Sequence, residues 1–307
     1  MIYTVTFNPS VDYIMHLDGF NISELNRATI THKFAGGKGI NVSRVLRTLD
    51  VTSTALGFIG GFTGEFIVDT LKQSDINEAF VRIDDDTRMN VKLKTGQETE
   101  VNAPGPMITT DQLETLMDQI KQTTEQDTVI VAGSIPKSIP SDVYGQIAKI
   151  TQQTGAQLVV DAEKDLLETV LPYQPMFIKP NKDELEHMFD TTIQSDEDVL
   201  YYGRKILERG AQAVIISLGG DGAIYLDQNQ SLKATVPKGQ VVNTVGSGDS
   251  TVAGMVAGLD AGLSINDAFR QAVSAGTATA YNDDLATAEG IQDVQSQVTI
   301  ATLDGSE

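Results

Sequence analysis

Residues 241–256, Val-Val-Asn-Thr-Val-Gly-Ser-Gly-Asp-Ser-Thr-Val-Ala-Gly-Met-Val, combine the types most suited to chemistry. The β-branched run reads as the end of a strand, Gly246-Ser247-Gly248 as a tight turn, and a helix is expected to open at Asp249 or Ser250. Such a turn aims several unpaired backbone N–H groups at one point, and the helix dipole adds partial positive charge there. A phosphate would be stabilised at that point. Asp249 is the odd member, because a carboxylate beside a bound phosphate is repelled unless it takes a proton from whatever attacks that phosphate. An Asp that only caps the helix accounts for the same residue. This segment leaves both readings open.

Other stretches carry compatible groups. Gly36-Gly37-Lys38-Gly39-Ile40-Asn41 is a second Gly-rich helix start, where close backbone approach joins a cation and a carboxamide able to bond hydroxyls or a phosphate. Asp12, after Asn8-Pro9-Ser10-Val11, offers two carboxylate oxygens to vicinal sugar hydroxyls, or serves the turn. Asn181 and Glu184 have capping-box spacing, and the same groups could orient waters on a Mg²⁺ that bridges phosphates. Ser217-Leu-Gly219-Gly-Asp-Gly222 suits a hairpin turn or a backbone laid against nucleotide phosphates. Arg27, Arg88 and Lys137 are basic residues at strand or turn positions that would form a phosphate clamp if they converge. Two standard nucleotide motifs are excluded. A Walker A loop fails at His32 and Gly39, and the dinucleotide pattern fails at Val42 and Thr251.

The elements that must position these residues follow from periodicity. Strands are expected at Ile2–Phe7, 51–59, 128–132, 158–160, 176–179 and 213–217, with a hairpin over 223–226 and 232–236. Helices are expected from 39 through Leu49, then over 65–73, 111–124, 142–153, 163–171, 182–189, 196–209, 249–262 and 265–280. Alternating strands and helices mean a mostly parallel sheet covered on both faces, with ligands at the carboxyl ends of its strands. The alternating polar stretches over roughly 12–35 and 88–103 do not fit that core, and read as a small antiparallel lid. The tail, Asp304–Glu307, is expected to fray.

Composition narrows the function. The 307 residues include 22 basic and 42 acidic side chains, a formal charge of −20, which argues against nucleic acid or an anionic membrane as partner. No cysteine is present, which excludes disulfides and suits a reducing cytoplasm. The three histidines, His16, His32 and His187, are widely spaced, which argues against a histidine metal centre. Neither a signal peptide nor a membrane span is evident.

In this order, Asn8-Pro-Ser-Val-Asp12, Gly36-Gly-Lys-Gly39, Lys179-Pro-Asn-Lys-Asp-Glu184 and Gly246-Ser-Gly-Asp249 resemble the PfkB family of ribokinase-like sugar kinases, over nearly the whole chain. Within it, residues 58–64, 87–92, 98–100 and 133–137 are most similar to bacterial kinases of fructose 1-phosphate, with tagatose 6-phosphate kinases as near neighbours. The resemblance implies a ribokinase-like three-layer α/β/α domain with a β lid that carries a homodimer interface. It implies ATP-dependent phosphorylation of D-fructose 1-phosphate at its 6-hydroxyl, with a tagatose 6-phosphate or fructose 6-phosphate kinase as the alternative. A non-catalytic sugar-phosphate sensor on this fold would need a damaged centre, whereas Asp249 and its turn are intact.

By the same resemblance Asp249 is the base, and the amides of Gly246, Ser247 and Gly248 form the anion hole. Asp12, Gly37 and Asn41 hold the sugar, while Lys38, Arg27, Arg88 and Lys137 meet its phosphate. Asn181 and Glu184 act through Mg²⁺, Glu184 by way of water, and Ser217, Gly219 and Gly222 lie along the ATP phosphates. No redox cofactor is implied. The helix N-terminus favours the charged form of Asp249, so it is expected to be a weak base that accepts its proton late. Ala35, Asp161-Ala-Glu-Lys164 and Tyr281-Asn-Asp-Asp284 depart from the family pattern, the last two at the nucleotide pocket.

Overall fold

The computed structural model of the protein describes residues 1–96, 98–162 and 164–303; the tail Asp304–Glu307 and Glu163 lie outside the described residues. The first half holds β1 (Ile2–Thr6), β2 (Ser10–His16), β3 (Ile30–Gly36), α1 (Lys38–Thr48), β4 (Ser53–Ile59) and α2 (Gly61–Gln73). The short strands β5 (Asn77–Glu78) and β6 (Val81–Arg82) follow, then β7 (Arg88–Lys94), β8 (Glu98–Val101), α3 (Thr110–Ile120), β9 (Thr128–Ala132) and α4 (Val143–Thr154). Next come β10 (Gln157–Asp161), α5 (Lys164–Val170), β11 (Phe177–Ile178), α6 (Lys182–Phe189), α7 (Asp196–Glu208) and β12 (Ala213–Ser217). The chain closes with β13 (Ala223–Asp227), β14 (Ser231–Thr235), α8 (Ser247–Asp260), α9 (Ile265–Ala280), α10 (Ala288–Gln295) and β15 (Thr299–Thr302).

The main sheet runs β15-β14-β13-β12-β11-β10-β9-β1-β4-β5, with β6 also on β4. Its pairings from β12 to β5 and β6 are parallel, and those of β12 through β15 are antiparallel. Period-two alternation deals its side chains to two cores. Val129, Val131, Leu158, Val160, Val214 and Ile216 meet α3 to α7 on one face. Ile130, Val159, Ala213 and Ile215 meet α1, α8, α9 and α10 on the other. The three-layer expectation holds, since strands buried on both faces need helices on both.

The second sheet has the order β3-β2-β7-β8 and comes from two separate segments of chain. Its outer pairings are antiparallel, and its central pairing, β2 with β7, is parallel. His16 and His32, distant in sequence, meet in this sheet with ring centroids 5.9 Å apart. Among the described residues no helix is long and apolar enough to cross a membrane.

Four local readings are corrected. Val241–Asn243 is not the end of a strand but an exposed loop, held by the amides of Val242 and Asn243 on the carbonyl of Ala280 at 2.9 and 3.2 Å. Strand propensity there finds no sheet partner, because β15, which periodicity did not reveal, already covers the outer edge of β14. The following helix opens at Ser247, two residues before Asp249. Helix α2 starts on Gly61, four residues before the expected Glu65, because the Gly-rich turn is itself its first turn. Helix α10 was not expected either, its apolar face being as narrow as Ile291 and Val294.

Candidate active site

Two clefts open at the carboxyl ends of the parallel strands. One is a small cleft under the second sheet, lined by Asp12, Gly36, Asn41, Arg44 and Lys92 among others. The other, of about 890 Å³, is lined by Asn181, Ser217, Gly219, Gly222, Ser247, Gly248 and Tyr281 among others. Asp249 lies between them. Its bonded partner Asn41 lines the first, and Ser247 and Gly248 line the second.

Helix α8 fixes this junction. Gly246 is its N-cap residue, left-handed at φ 81°, and an added Cβ would come within 2.5 Å of Leu285, so only glycine suits the turn. Asp249, 4% exposed, accepts a bond from Asn41 Nδ2 at 2.8 Å. Burial, and then the charge of Asp161, push its carboxyl up from 3.8 to about 6, against the pull of Lys38, Asn41 and Lys179. The expected weak base is therefore corrected, because desolvation and a neighbouring carboxylate outweigh the helix terminus. Its affinity for a proton approaches what general-base work near neutral pH needs. The hydroxyl of Ser247 is buried without a hydrogen-bond partner in the same turn.

At Asp12 the carboxylate accepts from Ser10 Oγ at 2.7 Å and from Asn90 Nδ2 at 3.1 Å, both on Oδ1. Oδ2 is left without a bond among the described residues. Gly36 lies so close that a Cβ there would be 2.6 Å from Oδ2. Gly37 is the N-cap residue of α1, and Lys38 and Asn41 rise from its first turn. Lys38, expected at the substrate phosphate, reaches Asp161 Oδ1 at 3.2 Å, and this carboxylate raises its pKa. Lys179 meets the same oxygen at 3.5 Å. Burial alone would push Asp161 up, but Lys179 and Lys38 outweigh it and hold the carboxyl below its usual range.

Arg88 donates to the carbonyls of Asn8 and Ala103 at 3.0 and 3.2 Å, and its Nε is buried unpartnered. Burial lowers its pKa and Asp12 opposes that shift. Lys137 is exposed beside Pro136, which packs under Gly105 in the loop that Arg88 grips. Arg27 is exposed on the connection between β2 and β3, and neither it, Arg88 nor Lys137 lines the two clefts.

Asn181 and Glu184 form a reciprocal capping box at 2.8 Å in each direction, and Asn181 bridges to Ser217. The cap engages Asn181 Oδ1 and Glu184 Oε2, leaving Glu184 Oε1 and the Asn181 amide nitrogen for waters. Among the described residues no three acidic or histidine side chains come close enough to cage a metal. This donor set fits a Mg²⁺ that arrives on nucleotide phosphates with its waters. Ser217, Gly219 and Gly222 lie at the hairpin turn of β12 and β13, as one sequence reading had it, and also line the large cleft.

Sequence reasoning gave no role to Asp161, Lys179, Asn90 or Arg44. A signal existed for the first two, since each is a charged residue ending an apolar strand where ligands gather, at Val159-Val160-Asp161 and Phe177-Ile178-Lys179.

The model of the pfkB family of carbohydrate kinases matches residues 5–288. The 1-phosphofructokinase of Bacillus subtilis is 46% identical over 303 residues, 99% of this chain and 100% of that protein. The D-tagatose-1-phosphate kinase of Bacillus licheniformis is 36% identical over 304 residues, again 99% and 100%. The crystal structure of Escherichia coli phosphofructokinase-2 with substrates and products superposes with a TM-score of 0.92 at 28% identity, covering 96% of this chain and 98% of that one.

Proposed function

The chain belongs to the pfkB family of carbohydrate kinases, and from that premise we propose that it phosphorylates D-fructose 1-phosphate at its 6-hydroxyl with ATP, giving fructose 1,6-bisphosphate. That it is a phosphotransferase with an alcohol acceptor follows from the family and its relatives. The observation that carries the mechanism is the seat of Asp249, buried at a helix N-terminus between the two clefts. The sugar enters beside Asp12, Gly37 and Asn41, with its phosphate beyond the cleft lining, on the side of the loop that Arg88 grips and Lys137 adjoins, and Arg27 as a further cation. ATP lies along Asn181, Ser217, Gly219 and Gly222, with its terminal phosphate at the amides of Gly246, Ser247 and Gly248. Asp249 aligns the sugar hydroxyl and takes its proton as attack makes that hydroxyl acidic. Phosphoryl transfer has little covalent chemistry for a protein to perform, so positioning and charge dominate. Asn181 and Glu184 would hold Mg²⁺ through water, and that ion neutralises charge on the nucleotide phosphates when bound.

The choice of sugar is supported by the 46% identity to a 1-phosphofructokinase over the whole chain. Fructofuranose is nearly symmetric about an axis through its ring oxygen, so the 1- and 6-phosphates present a hydroxyl and a phosphate at similar separation. A tagatose phosphate is the second reading, favoured by the relative at 36% identity. An assay that couples ADP release to NADH oxidation, run with fructose 1-phosphate, fructose 6-phosphate, tagatose 6-phosphate and tagatose 1-phosphate, decides between them. Highest kcat/KM on a tagatose phosphate replaces the first reading with the second. No ADP with any of the four leaves a sensor on the kinase fold. A homodimer through the second sheet is supported by exposed Ile30, Met89 and Val101 on its strands and Phe20, Ile22 and Leu25 on its long connection, and sedimentation of the protein tests it. The cytoplasm is the compartment proposed, from the absence of cysteine.

A further inference from the structure

The segment Tyr281-Asn-Asp-Asp284 and the cation Arg44 have no part in the transfer step described above. Residues 281–287 connect α9 to α10, and this connection touches both clefts. Tyr281 lines the large cleft, and its hydroxyl donates at 2.6 Å to the carbonyl of Pro237 on the same wall. The carbonyl of Asp283 accepts from Asn243 Nδ2 at 3.0 Å. Leu285 packs so closely on the turn that opens α8 that a Cβ on Gly246 would collide with it. Thr279 Oγ1 accepts from the amide of Ala286 at 3.0 Å and bonds Ser250 Oγ of α8 at 2.7 Å. Toward the small cleft the connection presents Asp283, Asp284 and Leu285. There Arg44 Nη2 donates to Asp284 Oδ2 at 2.5 Å, across 240 positions of sequence. Arg44 follows Asn41 by about one turn of α1, and both partners of the ion pair line the small cleft. Their side chains are 21% and 40% exposed, and an ion pair this open to water contributes little to stability. What it fixes is position, because it ties the connection to the helix that carries Asn41.

We propose that Arg44 and Asp284 are positioning residues that couple the two clefts, so that a sugar phosphate in one tightens nucleotide in the other. The proposal rests on the kinase reading above and concerns how its two substrates meet. Because both partners line the small cleft, a ligand seated there packs on the formed pair and favours it over the broken one. The formed pair holds the connection against α1. Through Tyr281 and Asp283 the same connection holds Pro237 and Asn243, in the stretch where Val241 and Thr244 line the large cleft. Linkage makes the effect reciprocal, so nucleotide must tighten sugar phosphate by the same factor. The pair needs no bond to either ligand, which sets it apart from Asp12, Asn41 and Asp249.

ADP release by the unaltered protein, measured first, tests the kinase reading on its own and selects the sugar phosphate to use. ADP with Mg²⁺ is then titrated calorimetrically, without and with that sugar phosphate at saturation, two ligands that cannot react with each other. In the unaltered protein the sugar phosphate should tighten ADP about fivefold or more, as is typical of coupled sites. Asp284→Asn, which keeps the shape and removes the charge, should bring that factor below about twofold. Each ligand alone should bind the variant within about threefold of the unaltered protein, since so exposed a pair is worth little by itself. Arg44→Met should do the same, and the double variant should be no worse than either single one, because the two side chains act as a unit. A merely structural contact would lower Tm and leave the coupling factor unchanged. A factor near one in the unaltered protein overturns the proposal, as does a native factor in Asp284→Asn or a double variant in which the two losses add.

Discussion

Replacing Asp249 by Asn should move activity and stability in opposite directions. Asn keeps the shape and can still pair with Asn41, but it accepts no proton. The loss of a general base costs about 10²–10⁴-fold in kcat, while sugar binding is left largely intact. The effect on stability follows from the position of the carboxyl, 4% exposed and pushed up from 3.8 to about 6 by burial and by Asp161. A carboxyl whose folded pKa lies above its unfolded value stabilises the fold fully only below the unfolded value, and that stabilisation is lost as pH rises through the folded value. Two units at 1.36 kcal/mol each amount to about 3 kcal/mol, lost between pH ~4 and pH ~6. The Asn variant does not suffer this loss. Urea unfolding at pH 7.5 should find it more stable by up to about 3 kcal/mol, with the gap closing toward pH ~4. A variant no more stable at pH 7.5, or a gap that does not narrow on acidification, refutes the argument from burial. A kcat above a few per cent of the unaltered protein's refutes the role as base.

Three further outcomes follow from the same geometry. The kcat/KM profile, corrected for the dianion fraction of the sugar phosphate, should fall with acid below about pH 6 as Asp249 is protonated, and a profile flat to pH ~5 contradicts this. Gly36→Ala would place a Cβ 2.6 Å from Asp12 Oδ2; sugar-phosphate KM should rise by roughly tenfold or more with a smaller change in kcat, and an unchanged KM removes Asp12 from the sugar site. Asn181→Ala should cost about 1 kcal/mol through its cap, while Asn181→Ser keeps the cap. If Asn181 also orients waters on Mg²⁺, the Ser variant loses activity at native stability, and full activity in that variant reduces Asn181 to the cap alone.

The local chemistry was legible to the extent that it is written in short range. Helix α6 and strand β12 fall on their expected residues, because capping boxes and apolar runs are local signals. The loop at 241–245 misled for the same reason, since its β-branched residues state a preference that only a neighbouring strand can satisfy. The parallel pairing of β2 with β7 joins strands whose sequences announce no partner.

From its residues alone this chain offers a glycine turn at Gly246–Gly248 suited to a phosphate, an adjacent acid, a second glycine-rich helix start and an alternating α/β order. These follow from backbone geometry and periodicity, which are properties of consecutive residues. Tertiary structure decides what Asp249 is. The bond from Asn41 spans 208 positions, and that from Lys38 to Asp161 spans 123. The same folding buries Asp249 beside a second carboxylate and raises its proton affinity, where the helix terminus alone argued for lowering it. Burial and the distance between charges set a pKa, and neither exists until the chain has closed on itself.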